Sequence, residues 1–198
     1  MGDSGATLAA LIGSRICHDL ISPIGAITNG LELLDLTGGV QGPELGLIAD
    51  SVGNAGARIR FFRIAYGAAG DQTLGRAEIV SVLDDLSRGG RLTLHWIPTE
   101  PQPRGAVRLA FLALQCLETA MPYGGEVRID CDGGAWTITG TADKVNLDQT
   151  LWAVLSEPRA KAEITPALVQ FALLPALAAD AGRKVRVIHD GGRITLRL

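Results

Sequence analysis

One short segment of the chain, residues 14–24, combines a histidine, an adjacent acid and a nearby proline. On a helix that turns about 100° per residue, the apolar residues Ile16 and Leu20 fall opposite His18. The face of the histidine itself carries small and polar residues, namely Ser14, Ser22, Gly25 and Asn29. The pattern predicts an outward imidazole that another macromolecule can reach. A free histidine has a pKa of about 6.5, so much of it is a neutral nucleophile near pH 7.

Three other interpretations of His18 stay open from the residues alone. A surface histidine is usually solvated and without a role, and periodicity by itself favours that interpretation. A metal site has little support, because no Cys or His follows His18 at i+3 or i+4. A serine–histidine hydrolase has little support either, since the chain contains no Gly-x-Ser-x-Gly segment.

Residues 18–24, His-Asp-Leu-Ile-Ser-Pro-Ile, resemble the H-box of histidine kinases, where His-Glu/Asp-Leu is followed by Thr/Asn-Pro-Leu. More narrowly, residues 14–34 and 58–67 resemble the ChpT-type histidine phosphotransferases. These two segments span much of residues 8–67, and beyond residue 70 the resemblance is one of layout. The resemblance implies that His18 accepts a phosphoryl group from the aspartyl phosphate of one receiver domain and passes it to another. It also implies that Asp19 orients the ring or holds its tautomer.

The same resemblance implies the partners of the chain. They are the receiver domain of a CckA-type hybrid histidine kinase and the CtrA- and CpdR-type response regulators, in signalling that controls the cell cycle. The receiver is expected to bring magnesium, and the chain itself is expected to need no cofactor or metal. Two alternatives remain from other classes: a histidine kinase core whose sensor lies on another chain, and a non-catalytic dimeric docking module.

A receiver-docking patch is predicted around the histidine. In an antiparallel hairpin that turns near residue 40, His18 lies level with residues 60–64, and Phe61 points about 140° away from the apolar seam. An outward phenylalanine either contacts a partner or packs on the chain's own C-terminal domain, and the two interpretations are weighted equally. The predicted patch comprises Arg15, Ser22, Gly25 and Phe61, with Arg15 favouring the acidic receiver pocket.

Two long helices must position these residues. The first is predicted over residues 7–36, followed by a break at Gly38, Gly39 and Gly42 and a second helix from Pro43. Apolar residues in the second helix alternate at spacings of three and four, which is typical of a bundle seam: Leu45, Ile48, Val52, Ala55, Ile59, Phe62 and Tyr66. One hairpin cannot cover two such seams. The pattern therefore predicts a homodimer whose hairpins form a four-helix bundle.

The rest of the chain predicts an α+β fold with two domains, an H-box hairpin over residues 1–70 and an α/β sandwich over residues 76–198. Helices and antiparallel strands alternate in an order that resembles the ATP-binding domain of histidine kinases. The nucleotide motifs of those kinases are missing. Residues 114–120 contain no asparagine, residues 138–142 replace Asp-x-Gly-x-Gly, and no glycine-rich lid follows. We therefore expect a degenerate domain that does not bind ATP.

Composition excludes several classes of function. The net charge of −3 argues against a nucleic-acid binder that neutralises phosphates. No apolar run is long enough to span a membrane, and no signal peptide begins the chain. The three cysteines, Cys17, Cys116 and Cys131, are scattered, which is typical of reduced thiols in a cytoplasmic protein.

Overall fold

The structure, a computed structural model, describes residues 2–37, 43–68, 70–88 and 90–198. Two long helices come first, α1 over Gly2–Thr37 and α2 over Pro43–Ala65, and they pack against each other as a hairpin. The predicted break at Gly38, Gly39 and Gly42 lies outside the described residues. Both predicted helices are confirmed, and α1 continues through Pro23.

Smaller elements follow the hairpin in an order close to the predicted one. They are β1 (Thr73–Leu74), α3 (Arg76–Arg88), β2 (Leu92–Trp96), β3 (Gln102–Pro103), α4 (Arg104–Ala120), β4 (Gly125–Asp132), β5 (Ala135–Thr141), α5 (Gln149–Ser156), a 3-10 helix (Pro166–Leu168), α6 (Val169–Asp180), β6 (Arg186–Asp190) and β7 (Arg193–Arg197). Five strands form one sheet in the order β2-β4-β5-β7-β6, and β1 pairs with β3 separately. This two-stranded ribbon was not predicted, because strands of two residues leave no periodic pattern.

The prediction of antiparallel strands is wrong for one pair. Strand β2 pairs with β4 in parallel, with Leu92 opposite Gly125, whereas the other pairs of the large sheet are antiparallel. The cause is the connection between the two strands, which contains α4. A parallel pair needs such a crossover, while two antiparallel strands can be joined by a tight turn.

The core lies between the sheet and the helices that cover one of its faces. Helix α4 is buried along most of its length, and the sheet contributes Ile129, Ile138, Ile194 and Leu196. The last turns of α2 join the same cluster through Phe61, Phe62, Ile64 and Ala65. This arrangement confirms the α+β fold class. The four-helix bundle and the domain limits 1–70 and 76–198 stay predictions.

Candidate functional site

His18 stands on the exposed face of α1, as the periodicity predicts. Its side chain is 81% exposed, and its Nδ1 atom lies 3.1 Å from Oδ1 of Asp19. The carboxylate of Asp19 is an acceptor only, so Nδ1 is the nitrogen that carries the proton in this contact. The second ring nitrogen, Nε2, has no protein partner among the described residues. The geometry therefore leaves Nε2 accessible to a reactant from the solvent.

Asp19 is partly buried beside this exposed histidine, and two arginines hold it. Its side chain is 10% exposed. Oδ2 accepts a hydrogen bond of 2.8 Å from Nε of Arg15, one turn earlier on α1, and Nη1 of Arg58 on α2 lies 3.5 Å away. Arg58 also donates to Oδ1 of Asn54 at 3.0 Å. The two guanidinium groups occupy Oδ2 and leave Oδ1 facing the imidazole.

The structure gives Arg15 a role different from the predicted one. Its side chain is only 14% exposed, and Nη1 donates to the carbonyl oxygen of Ala167 in the 3-10 helix. With Nε on Asp19, the guanidinium is already engaged at both ends. Arg15 is therefore an internal residue that joins α1 to the second domain, and we leave it out of the docking patch.

Phe61 also lies inside the molecule, so the second of its two interpretations applies. The residue is 3% exposed, and its ring stacks on Phe111 of α4 with centroids 4.7 Å apart and planes inclined by 8°. Phe61 does point away from the apolar seam, as the helical wheel predicts, but that direction faces α4. We therefore leave Phe61, too, out of the docking patch.

Ser22 and Gly25 are the two predicted docking residues that stay on the surface. A Cβ atom added to Gly25 would meet nothing within 4 Å. Ser22 borders an open groove of about 730 Å³ that Asp19 also lines, between the hairpin and the end of α3. Charged side chains line the groove: Asp19, Asp50, Arg58, Arg60, Asp85 and Arg88.

Arg58 is the site residue that sequence reasoning missed. It lies in a segment whose resemblance was noted without a role for any one residue. A signal was available, because a hairpin that turns near residue 40 brings the level of Asp19 close to this part of α2. The groove residues Asp85 and Arg88 had no such signal, since their approach depends on how α3 packs against α2.

Residues 114–120 of α4, which replace the asparagine-rich helix of kinases, lie against the hairpin. The hydroxyl of Tyr66 donates to Oε1 of the buried Gln115 at 3.0 Å, and Nε2 of the buried Gln170 donates to the Thr119 hydroxyl at 3.0 Å. Glu118 of the same stretch is exposed, and partial loss of hydration raises the pKa of its carboxyl while the nearby Arg15 partly opposes that shift. Gln115 and Thr119 thus make contacts within the protein.

The first comparison with known proteins concerns the second domain. A sequence model of the histidine phosphotransferase C-terminal domain matches residues 76–193. The chain belongs to the histidine phosphotransferase family. The family assignment expected from the sequence is thereby confirmed, and the matched residues are other than the H-box segments that suggested it.

Two individual relatives agree with this assignment. The protein phosphotransferase ChpT of Brucella abortus (strain 2308) is 38% identical over 133 residues, which cover 66% of this chain and 63% of that protein. A bacterial phosphotransferase solved at 1.7 Å is 32% identical, with a TM-score of 0.80 over 97% of this chain and 95% of the other. The chain therefore shares its fold across nearly its whole length with that solved phosphotransferase.

Two further observations concern metal sites and membrane-spanning helices. Within the described ranges, no three His, Cys, Asp or Glu side chains are grouped so that they could hold a metal ion. None of the helices in the described part of the chain has the length and apolar character needed to cross a membrane.

Proposed function

We propose that the chain is the histidine phosphotransferase of a two-component phosphorelay and that His18 carries the phosphoryl group between receiver aspartates. One observation supports this most strongly: the ring of His18 is 81% exposed while its Nδ1 faces the carboxylate of Asp19, whose side chain is only 10% exposed. A solvated histidine without a role needs no such partner. The open Nε2 is accessible to a bulky donor such as an aspartyl phosphate in the pocket of a receiver.

The transfer needs no proton shuttle in this arrangement. The lone pair of Nε2 attacks phosphorus, the N–P bond forms, and the P–O bond to the donor aspartate breaks, so the aspartate leaves as a carboxylate. Nδ1 keeps its proton, and the phosphorylated ring is a cation opposite Asp19. In the second step the acceptor aspartate attacks phosphorus and Nε2 leaves as a neutral imidazole. Because the transition state is loose and in line, positioning and charge neutralisation are the main requirements.

The receiver is proposed to supply magnesium and a lysine, and this chain is proposed to bind neither ATP nor a metal. Contacts of α4 support the proposal that the chain does not bind ATP. Gln115 and Thr119 lie in the stretch that replaces the phosphate-binding helix of kinases, and both are engaged within the protein. A ligand at that place would compete with these hydrogen bonds.

Dimerisation through the hairpin is proposed because much of its apolar seam is uncovered in a single chain, although the last two seam residues, Phe62 and Tyr66, pack on the core of the same chain. Ile24, Leu31, Val52 and Ile59 are each about half exposed. Burying such a side chain fully contributes about 1.5–3 kcal/mol. A second copy presents the same seam, so two hairpins can form a closed four-helix bundle with His18 on its outer surface.

The proposed partners are the receiver of a CckA-type hybrid kinase and the CtrA- and CpdR-type regulators, on the strength of the similarity to ChpT. A cytoplasmic location is part of the proposal. The three cysteines are free thiols, and burial raises the pKa of the Cys116 thiol well above its ordinary value. Such a thiol is unreactive, which suits a structural role in a reducing compartment.

A labelling experiment separates the three classes of function. The protein is incubated first with labelled ATP and magnesium, and then, in a separate sample, with a labelled phospho-receiver. We expect label from the receiver and none from ATP. Label taken directly from ATP would identify a kinase core, and label from neither source would identify a docking module.

The docking surface is proposed to include Ser22, Gly25 and the adjoining groove. Gly25→Arg should slow transfer by about a hundredfold or more, because a long side chain would keep the receiver from His18. Gly25→Ala is the matched control, since a methyl group at this helical position meets no neighbour. Single-turnover transfer from a phospho-receiver measures both variants. An equal rate for the two, with both folded, would exclude this surface.

A further inference from the structure

Four groups connect the second domain to the reactive histidine in one continuous chain of contacts. The carbonyl oxygen of Ala167 accepts from Nη1 of Arg15, Nε of Arg15 donates to Asp19 at 2.8 Å, and Asp19 accepts from Nδ1 of His18 at 3.1 Å. The side chains of Arg15 and Asp19 are only 14% and 10% exposed, whereas that of His18 is 81% exposed. The inner members are thus packed, and the reacting member is free.

Arginine suits the central place in this path. Its guanidinium is planar and rigid, so Nε and Nη1 can bind two acceptors whose relative position is then fixed. One acceptor, Asp19, lies one turn away on the same helix, and the other lies 152 residues away in the chain. An arginine held by Asp19 alone would follow any rotation of that carboxylate. The contact with Ala167 prevents this.

The segment that supplies the distant acceptor is itself anchored. Leu168 donates its backbone amide to Thr165 at 2.9 Å, and α6 continues directly into the buried Val169 and Gln170. The first half of α1 packs on the same core through Leu8, Leu11, Ile12 and Ile16. Both ends of the Arg15 contact therefore belong to one packed unit.

We propose that Arg15 is a positioning residue through which the second domain sets the tautomer of His18. Resting on the proposed function, this inference gives the second domain a task in phosphoryl transfer that does not involve a nucleotide. Arg15 and Arg58 occupy Oδ2 of Asp19, so Oδ1 is presented to Nδ1 of the imidazole. The neutral ring then keeps its proton on Nδ1 and presents the lone pair of Nε2. Without Arg15, Asp19 rotates more freely and the ring samples the other tautomer.

The test compares Arg15→Ala with Arg104→Ala. Arg104 also joins the second domain to the end of the hairpin, through hydrogen bonds to the carbonyl oxygens of Arg63 and Ala68, but it is remote from the histidine in these contacts. Nitrogen-15 spectra of histidine-labelled protein, about two pH units above the ordinary imidazole pKa of about 6.5, report which ring nitrogen carries the proton. The other two histidines, His95 and His189, serve as internal references.

We expect protonated Nδ1 at His18 in the wild type and in Arg104→Ala, and a shift towards protonated Nε2 in Arg15→Ala. Transfer from a saturating phospho-receiver should slow about tenfold in Arg15→Ala, the usual scale for losing a partner that fixes a histidine, and should be unchanged in Arg104→Ala. If Arg15→Ala does not fold, Arg15→Lys replaces it, because a lysine lacks the rigid fork that holds both acceptors.

Two results would overturn the inference. One is an unchanged His18 spectrum in the folded Arg15 variant. The other is an equal change in Arg104→Ala, which would mean that any loosening between the domains has the same effect. Failure of the proposed function is a separate outcome, seen when the wild type accepts no phosphoryl group, and the spectra still decide the role of Arg15 in that case.

Discussion

The hairpin and the second domain differ in how far their apolar side chains are exposed. Most of the large hydrophobic side chains that stay exposed lie on α1 and α2, whereas the described residues of the second domain expose only Tyr123 and Ile188. The buried core runs through α4, α6 and the sheet, and it includes only the end of α2. The second domain buries its apolar side chains together with the end of α2 and the first half of α1, whereas much of the hairpin seam stays exposed in the single chain. His18 lies on the hairpin, and Asp19 is held partly by the second domain through Arg15.

The largest effect is expected when a charge is placed in the seam, and the same charge elsewhere on the hairpin serves as the control. Ile59→Asp places an unpaired charge in the seam of both copies, and burying such a charge is unfavourable by several kcal/mol. We expect a monomer in light scattering at concentrations where the wild type is a dimer. Ala49→Asp adds the same charge to an exposed position of the same helix outside the seam and should leave the dimer intact. A dimer in both variants would contradict the proposed interface.

A smaller effect is expected where the hairpin meets the core. Phe61→Ala removes the ring that stacks on Phe111 and leaves a cavity, so the free energy of unfolding should fall by about 3–5 kcal/mol. Denaturant titration at two protein concentrations measures it. The loss should be independent of concentration, unlike the effect of Ile59→Asp, because the contact lies within one chain. A loss below about 1 kcal/mol would show that Phe61 is not a core residue.

These contrasts also explain which features the sequence could predict. The helices and the exposure of His18 follow from periodicity within single elements, and such local patterns can be predicted from the sequence. The orientation of Phe61 was also correct, but its partner Phe111 lies in another helix. The contact of Arg15 with Ala167 joins residues 152 positions apart, and no local pattern encodes it. The sequence therefore predicts the exposure of His18 better than the contacts that hold Asp19 beside it.

The parallel pairing of β2 and β4 is a different kind of omission. Strand β2, helix α4 and strand β4 follow one another in the chain with only the two-residue β3 between them, and the order of strand, helix and strand is typical of a parallel crossover. The direction of the pairing could be inferred from the helical connection between the strands, but not from the residues of either strand.

The central claim is that His18 carries the phosphoryl group, and one measurement tests it directly. The wild type, His18→Ala and His95→Ala are each incubated with a labelled phospho-receiver, and acid-labile label on this chain is counted and mapped by peptide mass. His95 is a suitable control because it is a histidine on the sheet, 3.3 Å from Glu126 and remote in sequence from the H-box segment. We predict wild-type labelling of His95→Ala, with the label on the peptide that contains residue 18, and no label on His18→Ala, whose fold and dimer should be unchanged. Acid-labile label on His18→Ala at the wild-type level would contradict the account.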